Sequence, residues 1–170
     1  MTSLDLGPAY LDGVMGSFRN TKKTAEQAMA QLSLEELHWA PDEESNSIAR
    51  IIKHMSGNML SRWTDFLTTD GEKPTRNRDQ EFEDDYQSIE QMTVAWEAGW
   101  KRLFQTIGSL EPDDLLKLIT IRAEPHSVLQ AILRQVYHLS YHTGQIVYLA
   151  KQIRGNEWKT LTIARGKSTE

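Results

Sequence analysis

From Ser127 to Gly155 the chain carries an unbroken helical pattern of about 28 residues, roughly 42 Å of α-helix at 1.5 Å per residue. Ser127-Val128-Leu129-Gln130 has capping-box spacing behind Pro125, and Gly155 supplies a stop. Val128, Ile132, Leu139, Ile146, Ala150 and Ile153 recur along one stripe. A helix of that length cannot bury such a stripe on itself. It demands partners that are amphipathic in the same way.

Three more segments answer that demand. Pro8 suits a first helical turn, and Leu11, Met15, Phe18, Ala25, Met29 and Leu32 predict a helix over about 8–32. Ser33-Leu34-Glu35-Glu36 predicts one short capped turn before Trp39-Ala40-Pro41 breaks it. Asn46 or Ser47 caps a helix over 47–68, with Ile48, Ile52, Met55, Met59, Trp63 and Phe66 as its stripe and Asp70-Gly71 as its end. Ser88-Ile89-Glu90-Gln91 opens a helix over 88–108, striped by Ile89, Met92, Trp96, Trp100, Leu103 and Ile107 and closed by Gly108-Ser109 before Pro112. The long helix itself is expected over 127–154. Leu116–Arg122 and Thr160–Ala164 read as a small strand pair.

The expected fold is all-α, a four-helix bundle with a minor strand pair, as one domain over 1–170. Every interhelical connection is long enough to cross the bundle, so connection length leaves the topology open. The stretch from Thr69 to Asp85 is some 17 polar residues without helical period, long for a compact domain. It is a crossover, a lid, or both.

Charge and composition exclude several functions. A formal net charge of −5 gives no concentrated basic face for nucleic acid. Lys151, Arg154, Lys159, Arg165 and Lys167 read as a solvated tail. With no cysteine there is no disulfide, no thiolate zinc site and no cysteine nucleophile. Any thiol chemistry must take its thiol from the substrate. Met1-Thr2-Ser3-Leu4-Asp5 lacks the character of a signal peptide, and no apolar run approaches the roughly 20 residues that span a bilayer. The expectation is a soluble cytoplasmic protein, with no membrane partner.

Chemistry concentrates on the long helix. His138 and His142 are four residues apart, about 400° of turn, so both imidazoles project from one face beside the stripe. His126 is twelve residues from His138, about 18 Å along the axis, too far to share one ion with bonds near 2.1 Å. It reads as part of the approach to the helix, and His38 as a loop residue beside a turn. His54, at the margin of the second long stripe, is the histidine elsewhere whose position allows convergence. Helices 8–10 Å apart can bring three imidazoles to one point, a His₃ set with an open position, as in catalytic sites. Spaced histidines also arise without metal, as partly buried side chains that hydrogen-bond. His138-Leu139-Ser140-Tyr141-His142 lacks the glutamate that a zinc protease uses as general base, which rejects that reading.

Three pieces carry a family resemblance: Ser45 to Met59 with Arg62-Trp63, Asn77 to Phe82, and Tyr141 to Ile146 with His138 before it and Arg165-Gly166-Lys167-Ser168 after. Together they resemble the DinB-like superfamily, the damage-inducible and YfiT-related metal-binding bundles, in a branch without assigned activity. The resemblance implies a four-helix bundle, a homodimer, and zinc or nickel held by His54, His138 and His142. Asn58 and Gln145, each near one turn from a histidine, are then supports for the ligands, groups facing the open position, or ordinary polar residues. Arg62, Arg78 and Tyr141 are substrate-orienting groups or surface and packing residues.

An ion held that way can lower the pKa of bound water toward ~7 or ionise a substrate thiol. Relatives that this chain resembles use low-molecular-weight thiols. The leading expectation is a metal-dependent thiol transferase, or a hydrolase, acting on a small molecule. The alternatives are a stress-response or binding protein whose metal is structural or vestigial, and a dimeric interaction module with no metal.

Overall fold

The computed structural model describes residues 5–167. Ser168 and residues 1–4, which entered the sequence reading at the basic motif and at the amino terminus, lie outside the described residues. Five helices run in order: α1 (Leu6–Met29), α2 (Leu34–His38), α3 (Ile48–Trp63), α4 (Ile89–Gly108) and α5 (Val128–Arg154). An antiparallel pair, β1 (Leu118–Ile121) and β2 (Glu124–Ser127), precedes α5. Among the described residues no helix is long and apolar enough to cross a membrane.

Serine starts four of these helices. Ser33, Ser47, Ser88 and Ser127 each accept a backbone N–H from three residues on. Ser33 with Glu36, and Ser127 with Gln130, close the reciprocal capping box. At Ser88 the return bond goes elsewhere, because Gln91 accepts from the Gln87 N–H. α1 begins at Leu6 rather than Pro8, since the Asp5 carboxylate already accepts from Gly7. It ends at Met29, and tight turns at Gln31 and Leu32 replace its expected last residues.

α3 also ends early, at Trp63 instead of Thr68. Asp65 turns into the left-handed region at φ 47°, and its carbonyl gathers the N–H groups of Thr68 and Thr69. The Thr106 hydroxyl donates to the freed Trp63 carbonyl, which anchors this end of α3 to α4.

The expected stripes of α3 and α5 are buried, with Ile153 only partly so. On α1, Val14 and Ala28 are buried, whereas Leu11, Met15 and Met29 sit at the margin. Ile89, placed in the α4 stripe from sequence, is 47% exposed at the helix start.

The strand pair needs correction. Leu118–Ile121 pairs with Glu124–Ser127 as a hairpin, not with Thr160–Ala164. Arg122 and Ala123 turn it, both at positive φ (56° and 62°). His126, read as leading into the helix, is a strand residue opposite Ile119.

Cross-contacts set the helix directions. Trp63 meets Thr106, and Gly99 abuts Ser56, so α3 and α4 run parallel. A side chain at Gly99 would crowd the Ser56 backbone, which is why these two helices come so close. Tyr10 reaches Leu129, and Glu36 just beyond α1 reaches Arg154, so α1 and α5 are parallel as well. Glu26 bonds to Trp96 and Lys22 to Glu97, which makes the two pairs mutually antiparallel. The bundle is up-down-down-up. Parallel neighbours α3 and α4 need a connection that returns the whole length of α3. That is what residues 64–88 do, with Lys73 beside Ser61, Glu81 beside Gly57 and Asp84 beside Ser47.

Candidate metal centre

α3 and α5 are antiparallel neighbours, and they bring His54 against His138 and His142. One ring nitrogen from each lies within 4.8 Å of those of the other two, and the group could hold a metal ion. His54 Nε2 is 3.1 Å from His138 Nε2. The ring centroids are 4.6–5.1 Å apart, each pair meeting edge to face. His38 and His126 stand outside this group: His38 pairs with Asp84 on the crossover.

Two of the three rings are oriented by partners behind them. The Glu81 carboxylate accepts from His54 Nδ1 at 2.9 Å, which leaves His54 Nε2 as the nitrogen with the free lone pair. Glu81 is itself buried and held by Arg76, through Nε at 2.7 Å and a terminal nitrogen at 2.6 Å. Arg76 spends its other terminal nitrogen on Glu72. Burial alone would raise the Glu81 carboxyl, but hydrogen bonds from Arg76 and His54 outweigh it and hold it low. Phe82 stacks on the other face of His54, centroids 4.9 Å apart. His142 Nδ1 lies 2.7 Å from Gln145 Oε1, which turns His142 Nε2 toward the cluster.

Burial sets the protonation. Desolvation, then the neighbouring His142 and His54 and the cations of Arg62 and Arg76, lower His138 to about 3. Desolvation lowers His142 to about 4, against a Gln145 hydrogen bond that raises it. Both rings are therefore neutral at neutral pH, the form that binds metal. Two ligand nitrogens on one tetrahedral or octahedral ion stand about 3.0–3.4 Å apart for bonds near 2.1 Å. The 3.1 Å contact between His54 and His138 falls in that range. The donor set thus fits a divalent transition ion.

The other sequence candidates scatter around this core. Gln145 touches His142 directly and also donates weakly to Tyr141, at 3.4 Å. Tyr141 is mostly exposed and lies edge-on to His142. Asn58 makes no hydrogen bond to a histidine among the described residues; it is buried, accepts from Gln135 at 3.2 Å, and lines a cavity. That cavity, about 170 Å³, is bounded by His54, His138, Asn58, Arg62 and Arg78 together with Arg76, Arg122 and Arg134. Arg78 lies over the Phe82 ring at 5.4 Å.

Sequence reasoning missed Glu81, Arg76 and Phe82 as parts of the site, although Asn77 to Phe82 drew notice as a motif. One signal was available: a buried histidine that ligates metal needs an acceptor behind it, and the polar crossover is rich in acids.

A family model described as a protein of unknown function (DUF1572) matches residues 5–167. No curated protein matches the chain.

Proposed function

We propose, for a chain that belongs to the DUF1572 family of proteins of unknown function, that it is a DinB-like protein holding a divalent ion, zinc or nickel, through His54, His138 and His142. The reading is supported by one observation above all: three imidazoles from two helices converge, two of them with Nδ1 bound outward. When bound, such an ion would activate a water or a substrate thiol near neutral pH. The chain's own contribution is positional. Glu81, locked by Arg76, fixes the tautomer of His54; Gln145 turns His142; Phe82 stacks on His54 and holds its ring.

The function these parts serve best is transfer to or from a low-molecular-weight thiol, or hydrolysis, of a small molecule at the open position. Two of the histidines, His54 and His138, border the arginine-lined cavity, which gives a molecule access to that side of the cluster. A purely structural ion is the competing reading, favoured by the burial of His54.

Untagged protein is expected to hold one equivalent of metal by elemental analysis, and His54→Ala and His142→Ala to lose it. Equal metal in parent and variants would end the three-histidine reading. Cobalt-substituted protein is expected to change its visible spectrum when thiols are added. A silent spectrum with a large chelator-induced fall in Tm would favour the structural ion.

The same reading makes the protein a homodimer paired through α5. Leu133, Tyr137, Tyr141 and Tyr148 are all exposed there and fall within about 80° of the helix surface. A second copy is the occupant that such an unsatisfied apolar face suits.

A further inference from the structure

The cavity beside the histidines holds more positive charge than the fold can answer. Glu72 and Glu81 are the acids near it, and both are taken: Glu81 by Arg76 and His54, Glu72 by Arg76 and by Arg122 at 3.4 Å. Arg62, Arg78 and Arg134 are left without a carboxylate partner among the described residues. Arg78 has the Phe82 ring and exposure to water. Arg134 is exposed on α5.

Arg62 is different. It is only 4% exposed, and its Nε is buried with no hydrogen-bond partner. A guanidinium largely withdrawn from water without an anion is costly. Besides its burial, Arg134, Arg76 and Arg122 crowd it with like charge, and the pull of Glu72, which is already paired to Arg76 and Arg122, does not offset them. A buried cation in this position is a half-made ion pair. No ion pair or hydrogen bond among the described residues completes it, so the missing half is expected from outside.

We propose that this cavity is an oxyanion subsite, in which Arg62 and Arg134 bind the carboxylate or phosphoryl group of a small molecule whose other end reaches the three-histidine cluster. Guanidinium is the side chain suited to this, because its planar fork matches two oxygens of either group. Arg62 comes from α3 and Arg134 from α5, so they approach from the two helices that also supply the histidines. Asn58 adds an amide on the same wall, its oxygen already engaged by Gln135. About 170 Å³ is room for some five or six waters at roughly 30 Å³ each, enough for one such group with a short arm. For the position of that arm the proposal rests on the metal reading; for the anion it does not.

The test separates the two. Metal-stripped full-length protein is titrated calorimetrically with inorganic phosphate and, in parallel, with succinate. Saturable one-to-one binding of either is expected, weakening as salt is raised. Tighter phosphate points to a phosphoryl substrate, tighter succinate to a carboxylate. Arg62→Met is expected to lose at least tenfold in affinity for the anion and, before stripping, to hold as much metal as the parent. Arg134→Gln, on the surface and safe for folding, should lose several-fold, and Arg19→Gln, exposed on α1, nothing. No binding by the parent, or unchanged affinity in Arg134→Gln or a folded Arg62→Met, overturns the proposal. If His54→Ala keeps its metal yet the parent binds phosphate, the metal reading falls and the anion site stands.

Discussion

At the scale of single residues, His54 depends on a carboxylate 27 positions later, and that carboxylate depends on a missing side chain. A Cβ on Gly57 would collide with Glu81 Oε1 and sit 2.8 Å from its Cδ. Glu81 cannot swing aside cheaply, since Arg76 grips both of its oxygens. Gly57→Ala is therefore expected to push Glu81 off His54. Glu81→Ala removes the acceptor outright and strands Arg76 with Glu72 alone. Both variants should bind metal 10–100-fold more weakly in a competition against a chelating dye, the usual loss when the partner behind a ligand is removed. Glu81→Ala should also unfold about 3 kcal/mol more easily, as broken buried pairs do. Metal affinity equal to the parent in both would show that Glu81 does not position His54. The His138–His142 pair was legible because helical spacing acts within one element, and His54 entered as the histidine on another helix whose position, and the family resemblance, allowed it to join them. Glu81 was not legible, because its role exists only once the crossover has doubled back on α3.

At the scale of elements, the hairpin and the start of the crossover are tied by one aspartate. Asp70 accepts from the N–H groups of Arg122, Ala123 and Glu72, at 2.7–2.9 Å. Nearby, the Gly71 N–H donates to Thr120 at 2.8 Å. Arg122 and Ala123 both hold positive φ, which costs an ordinary residue about 1–2 kcal/mol. Asp70 supplies what Asn-Gly or Gly-Gly would otherwise provide. This explains why the hairpin was invisible in the sequence: its turn has no turn residues, and the group that holds it is some fifty positions away. The β-rich look of Leu116 to Arg122 was readable, but its partner was not. Partial burial raises the Asp70 carboxyl, yet the three backbone donors prevail and hold it well below the usual carboxylate range. A lowered folded pKa means stability that is whole above the unfolded value of about 3.9 and is lost as pH falls toward the folded one. Asp70→Ala should cost about 1–2 kcal/mol at pH 7, discounted for its exposure. Urea midpoints of parent and variant should converge below about pH 4. A gap that persists undiminished at pH 2 would mean that the charge of Asp70 does not hold the turn.

For the whole molecule, the apolar stripes made a bundle legible, and the serine caps located most helix starts within a residue or two. The directions were hidden, because every connection is long enough for either sense. They follow from long-range pairings such as Thr106 with Trp63 and Glu26 with Trp96, which no local pattern announces. The resulting order turns one face of α5 inward to α1 and α3 and leaves Leu133, Tyr137, Tyr141 and Tyr148 facing out. Tyr137 and Tyr148 are each more than 70% exposed, and the Tyr137 ring stacks on Tyr141 rather than on a histidine ring. They are therefore the residues on which pairing can be tested without disturbing the metal. Wild-type protein is expected to sediment at twice the 19.5 kDa of one chain. Tyr137→Glu combined with Tyr148→Glu puts two like charges on each copy of a two-fold interface, so each meets its own kind across the axis. That variant should run as a monomer with unchanged helical content and unchanged metal. Tyr141→Phe, which deletes only the hydroxyl that Gln145 reaches, should remain a dimer. A wild-type protein that sediments as a monomer at micromolar concentration would leave the α5 face without a partner of its own kind, and a dimer indifferent to both glutamates would place the contact elsewhere on the molecule.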